Sequence, residues 1–133
     1  MKVTLALVVF AGAVLAQRSE SDKCMDKADT QLAMNMCADQ EAKRVEAQLE
    51  SVYRQVLDAA RKESGAVPKI EASQKAWLAY RDSYLGAMYP ADDKLANYGS
   101  KWPADYSMLK AEFTRQQITR LQALLKAYRT GAR

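Results

Sequence analysis

The sequence contains no histidine. That removes the usual general base near neutral pH, the usual activator of a nucleophile and the commonest metal ligand. Glycine is sparse, five in 133 residues, and too scattered for a GxGxxG or GxxxxGK phosphate loop. No serine sits in a G-x-S-x-G elbow. Two cysteines without histidine make a poor tetrahedral zinc site. The adjacent acids Asp92-Asp93 lie among turn formers, where such pairs are ordinary solvated residues and lack the partner geometry of a glycosidase. Glu41 and Glu46 read the same way, as surface charges of a helix. The chemistry needed for an enzyme is missing, and nothing calls for a metal or an organic cofactor.

Charge of one sign is also lacking. The chain has 20 Lys+Arg against 16 Asp+Glu, well mixed. No basic run is interleaved with aromatics, so nucleic-acid binding has no support. Lys110, Arg115, Arg120, Lys126 and Arg129 spread around their helix axis instead of forming the basic face of a membrane-surface helix. The one long apolar run is MKVTLALVVFAGAVLA, residues 1–16. It is shorter than the roughly 20 residues a membrane span needs. Its single lysine, apolar stretch and Val14-Leu15-Ala16 ending have the layout of a signal peptide cleaved after Ala16, the alternative being a buried N-terminal helix. No cysteine follows directly, which argues against a lipid anchor. The expectation is therefore one exported domain, Gln17–Arg133, secreted or periplasmic and without stable membrane insertion. Without Lys2 its net charge is about +3.

What is present is helical periodicity. A short helix is predicted around Glu20–Lys27. A second runs from about Gln31 to Glu63, with Val45, Leu49, Val52, Val56 and Ala60 at three/four spacing. Ser64-Gly65 ends it. Pro68 suits the first turn of a third helix, about 68–89, whose inner stripe reads Ile70, Trp77, Tyr80, Tyr84 and Met88. Pro90 ends that helix. Residues 90–103 read as the one long non-helical segment, and Pro103 starts a last helix to about Arg129. Leu109, Phe113, Leu121, Leu124 and Tyr128 supply its apolar face, with Gln117 inside it. This is an all-α domain, a small antiparallel bundle of three long helices plus a short N-terminal one.

Two cysteines in an exported protein are most simply one disulfide, the alternative being two free thiols. Cys24 and Cys37 are thirteen residues apart, about 20 Å along a straight helix. A disulfide needs Cα atoms within about 7 Å. If the bond forms, the chain must reverse between them, most naturally at Lys27-Ala28-Asp29-Thr30, with Thr30 or Asp29 capping the next helix.

Residues 75–85, KAWLAYRDSYL, place Arg81 four residues after Trp77, inside the apolar stripe, with Asp82 beside it. Either Arg81 buries only its stem and Asp82 is exposed, or the charges reach a polar group buried on a neighbouring helix. Gln117 is the conspicuous candidate, because an unpaired amide in an apolar stripe is costly. In both readings the pair is architectural.

Thr30-Gln31-Leu32-Ala33-Met34-Asn35-Met36-Cys37-Ala38 follows the pattern T-x-x-x-M/N-x-C-A and resembles the LprI-type lysozyme-inhibitor family. Gln74 to Asp82, QKAWLAYRD, resembles its signature block. Gly99-Ser100 and Phe113-Thr114 with Leu121 continue the likeness, which spans roughly Cys24 to Leu125. Members often carry a second cysteine pair, whose places here are Tyr84 and about Leu109. The last helix usually has an arginine where this chain has Gln117. The resemblance implies an interhelical Asp–Arg contact, here reduced to Asp82 with a neutral amide. Packing of Trp77, Tyr80 and Tyr84 against Phe113 and Leu121 is expected to compensate.

The resemblance also implies a protein partner, lysozyme. That enzyme's cleft holds two carboxylates, and the 90–103 segment offers Lys94, Tyr98, Ser100, Lys101 and Trp102 as an aromatic-plus-donor set. The bland reading is a linker with Trp102 closing one end of the core. Common animal lysozymes are strongly basic, so a net-positive chain gains no long-range steering toward them. An envelope or secreted adaptor without lysozyme activity is the alternative function. The sequence does not set the oligomeric state.

Overall fold

The computed structural model describes residues 19–132. The expected signal segment and its cleavage after Ala16 lie outside them. The described residues form five helices and no strand: α1 (Glu20–Lys27), α2 (Gln31–Ala60), α3 (Ala66–Met88), α4 (Lys94–Tyr98) and α5 (Trp102–Thr130). None of these helices is long and apolar enough to cross a membrane.

α1 opens on a capping box, Ser19 Oγ accepting from the Asp22 amide while the Asp22 carboxylate accepts from the Ser19 amide. None of its residues is buried. It is tied down by the Cys24–Cys37 disulfide, which joins Cα atoms 5.7 Å apart. The reversal falls at Ala28 to Thr30, and Thr30 Oγ1 caps α2 by accepting from the Ala33 amide at 3.1 Å.

α2 stops at Ala60, three residues before the expected end. Residues 61–65 make a turn in which the Glu63 amide donates to the Ala60 carbonyl. Gly65, at φ 76°, takes the left-handed conformation that side chains resist and serves as the N-cap of α3 rather than closing α2. α3 accordingly begins at Ala66, with Pro68 in its first turn.

The paired contacts set the directions. Asn35 meets Ser100, Glu41 meets Arg115 and Gln55 meets Arg129, so α2 and α5 run parallel. Glu46 meets Arg81 while Gln117 meets Gln74, so α3 runs antiparallel to both. Successive long helices thus alternate in direction, which leaves the closest pair, α2 and α5, parallel, because α3 returns the chain to its starting end. The backbones of α2 and α5 approach most closely. Alanines allow it: Ala38 and Ala42 on α2, and Ala104 and Ala111 on α5, are all buried. Farther along, Val45, Leu49, Val52 and Val56 join Ile118, Leu121 and Leu125 in one core, which Ala66 and Ile70 of α3 complete.

The inward face of α3 is not the predicted aromatic stripe. The buried line is Ile70, Gln74, Arg81 and Leu85, with Trp77 half-buried. Tyr80, Tyr84 and Met88 are 57%, 39% and 48% exposed. Both lines have helical spacing, but the polar one faces the neighbours and the aromatic one lies on its shoulder. On α5 the same shift occurs: Leu109, Phe113, Leu124 and Tyr128 are only half-buried, and the buried line runs through Ala111, Thr114, Gln117, Ile118, Leu121 and Leu125.

Candidate interaction site

Residues 90–103 are not the open loop expected from the sequence, since they contain α4. Asp93 caps that helix, its Oδ1 accepting from the Ala96 amide at 2.9 Å. Gly99, at φ 74°, ends it, and its amide donates to the Leu95 carbonyl. Tyr98 Oη accepts from the Ala91 amide at 3.0 Å, and the Lys94 ammonium donates to the carbonyls of Tyr89 and Ala91. The Ser100 carbonyl accepts from Asn35 Nδ2 at 3.0 Å, which ties this end to α2. Tyr98 and Trp102 each meet the Tyr89 ring edge-on, at 5.2 and 6.2 Å, and Tyr106 lies 5.6 Å from Trp102. Trp102 Nε1 is buried within this ring cluster without a hydrogen-bond acceptor among the described residues.

Of the five loop residues singled out from sequence, Lys94, Tyr98, Ser100 and Trp102 thus hold the segment together. Lys101 faces outward, 69% exposed at its side chain and paired with Asp105 at 3.1 Å. Leu95, 67% exposed, is the outward apolar residue of α4 that sequence reading passed over. The result is a stiff platform with few projecting groups.

Beside the platform, a shallow trough of about 500 Å³ runs along α5 where it meets the start of α2, with Ser21 of α1 and Met88 of α3 at its edges. Met88, Met108, Leu109, Asp105, Glu112 and Arg115 are among its walls. Near its α2 side lies a carboxylate that sequence reading placed on the surface. Glu41 is buried, and it accepts two bonds from Arg44, at 2.8 and 2.7 Å, and one from Arg115. Burial alone would raise its pKa, but the bonds from Arg44, helped by Arg115, hold the carboxyl below its ordinary value. Glu46 accepts from Arg81 at 3.1 Å and from Lys110 at 2.9 Å, linking all three long helices. The signal for Glu41 was its place between Ala38 and Val45 on the core-facing line of α2.

A family model described as "Lysozyme inhibitor LprI" matches residues 22–121. The chain belongs to the LprI family. It is also 32% identical over 127 residues to an uncharacterized protein of Rhizobium meliloti (strain 1021), covering 84% of each chain. No solved structure matches it.

Within this LprI protein, the residues expected to pin the helices divide into two groups. Arg81 does reach a neighbouring helix, but its partner there is Glu46, and it also bonds Asp82 at 2.9 Å. Its guanidinium lies 5.3 Å from the Trp77 ring centroid. Asp82 itself is 62% exposed. Gln117 does not meet Asp82; it donates to Gln74 Oε1 at 3.0 Å, both side chains being buried. An amide can satisfy an amide, so the neutral residue found its partner about two turns from Asp82 on the inward face of α3. Tyr80 and Tyr84 do meet Phe113, at 6.2 and 4.8 Å between centroids, though on the bundle's shoulder and not in its core.

The glutamine pair carries a direct test. Gln117→Leu or Gln74→Leu alone strands a buried amide and should destabilise by about 1–2 kcal/mol. The double leucine variant should recover most of that loss, because both polar groups go together. Urea unfolding of the four proteins measures the cycle, and additive losses would mean the two amides do not depend on each other.

Proposed function

We propose that this chain is exported, loses its leader near Ala16, and binds and inhibits lysozyme through the α4 end of the molecule. Membership of the LprI family over residues 22–121 carries this reading. The α4 end suits it physically. Ring packing and the Lys94 and Tyr98 bonds fix the segment before any partner arrives, which lowers the ordering cost of association. Leu95 and Lys101 project from that platform, an apolar contact beside a cation suited to a cleft lined by carboxylates. The Arg81, Asp82, Trp77, Tyr80 and Gln117 group serves the architecture, and no substrate is turned over.

Purified protein titrated into a lysozyme cell-wall clearing assay tests the proposal. Saturable inhibition is expected, with Lys101→Ala weakening it by roughly fivefold as an exposed interface charge. Tyr98→Ala should also weaken it, by loosening the platform. No inhibition at tens of micromolar by folded protein would favour the alternative, an exported helical adaptor. The mature chain's net charge of about +3 would then point to an acidic partner.

A further inference from the structure

We propose that the trough along α5 receives a lysine or arginine side chain of lysozyme, its stem on Met108 and its charged end between Asp105 and Glu112. This rests on the lysozyme reading and adds the contact that recognises a basic partner.

Three observations converge on it. First, the floor is apolar and uncovered: Met108 is 55% and Met88 48% exposed, and Leu109 adjoins them. Methionine is unbranched and polarizable, and suits a surface that adapts to a partner's side chain. Second, Asp105 and Glu112 stand three residues before and four after Met108 on one helix, so the two carboxylates bracket it on the same face. Third, the trough's own cation is already committed. Arg115 bonds the buried Glu41, whereas among the described residues the Glu112 carboxylate meets only Gln116 Nε2, at 3.5 Å. Asp105 pairs with Lys101 at the exposed rim, where such pairs are weak and exchangeable.

The trough is therefore locally acidic on a chain whose net charge is positive. That local sign selects the occupant. A long cationic side chain lays methylenes on the methionines and keeps its charged end at the carboxylates. An anionic lipid surface would be repelled by Asp105 and Glu112. The same contact accounts for how a basic inhibitor can hold a basic enzyme, since short-range pairing acts where the overall fields repel.

The experiment compares inhibition constants of wild type, Glu112→Lys, Glu112→Gln and Glu71→Lys at low and moderate salt. Glu71 is exposed on α3, so its reversal changes net charge equally at a different place. Glu112→Lys should weaken inhibition at least about tenfold and Glu112→Gln about threefold, with Glu71→Lys within about twofold of wild type. Circular dichroism establishes that each variant is folded, and the glutamine variant decides the matter if the lysine one is not. Equal effects of the two lysine variants, or none from Glu112→Gln and Glu112→Lys, would overturn the trough contact while wild-type inhibition leaves the lysozyme reading standing. A wild type that does not inhibit lysozyme would overturn both.

Discussion

Arg81→Ala should lower stability by about 3 kcal/mol, while Arg81→Met should stay within about 1 kcal/mol of wild type. The argument turns on what each change leaves behind. The Arg81 side chain is 7% exposed and fills the space between Trp77, Glu46 and Asp82. Truncation to alanine opens a cavity of the kind that costs a long side chain about 2–5 kcal/mol. It does not strand a buried charge. Glu46 is 33% exposed and keeps Lys110 at 2.9 Å, and Asp82 is mostly in water. Breaking a fully buried pair costs about 3–5 kcal/mol, so the charge contribution should fall below that range. Methionine restores the volume without the charge. Thermal or urea unfolding of the two variants separates volume from charge. If Arg81→Met costs as much as Arg81→Ala, the ion contacts hold the helices and the packing account is wrong.

The fold was largely legible because its signals are local. Thr30 announced the start of α2, and the cysteine spacing required a reversal where Ala28 to Thr30 provides one. Pro68, Pro90 and Pro103 marked helix boundaries to within two residues. The rotation of each helix about its own axis was less legible. Hydrophobicity put Tyr80, Tyr84 and Met88 inward, but burial followed a line through Gln74 and Arg81. Those two polar side chains tolerate the interior only because Gln117 and Glu46 meet them from other helices, and partners far apart in sequence leave no periodic trace. Glu41 was misread for the same reason, since Arg44 on its own helix looks like an ordinary surface pair and Arg115 joins it only when α5 lies against α2. Residues 90–103 read as non-helical, whereas they contain α4. Their side chains read as exposed donors because nothing in their order shows that Lys94 and Tyr98 turn back on Tyr89 and Ala91.

Ala111→Leu should destabilise the protein by about 3 kcal/mol, near the upper end for overpacking. Hydrophobicity alone predicts the opposite, because leucine buries more apolar area than alanine. Ala111 is 1% exposed in the closest helix pair of the molecule, and Ala42 in the same cluster is 3% exposed. Added carbons there must push α5 away from α2, since the interior is packed about as densely as an organic crystal. The displacement also acts on the ions beside the seam. Lys110 and Arg115, on either side of Ala111 in the chain, hold Glu46 and Glu41 of α2, and separation of the helices stretches both pairs. Ala123→Leu on the exposed face of the same helix is the control, expected within about 0.5 kcal/mol of wild type. Thermal unfolding of both variants measures the difference. An Ala111→Leu protein as stable as wild type would mean that the α2–α5 seam can open to admit a larger side chain, and that the alanines are not what sets the spacing of the two helices.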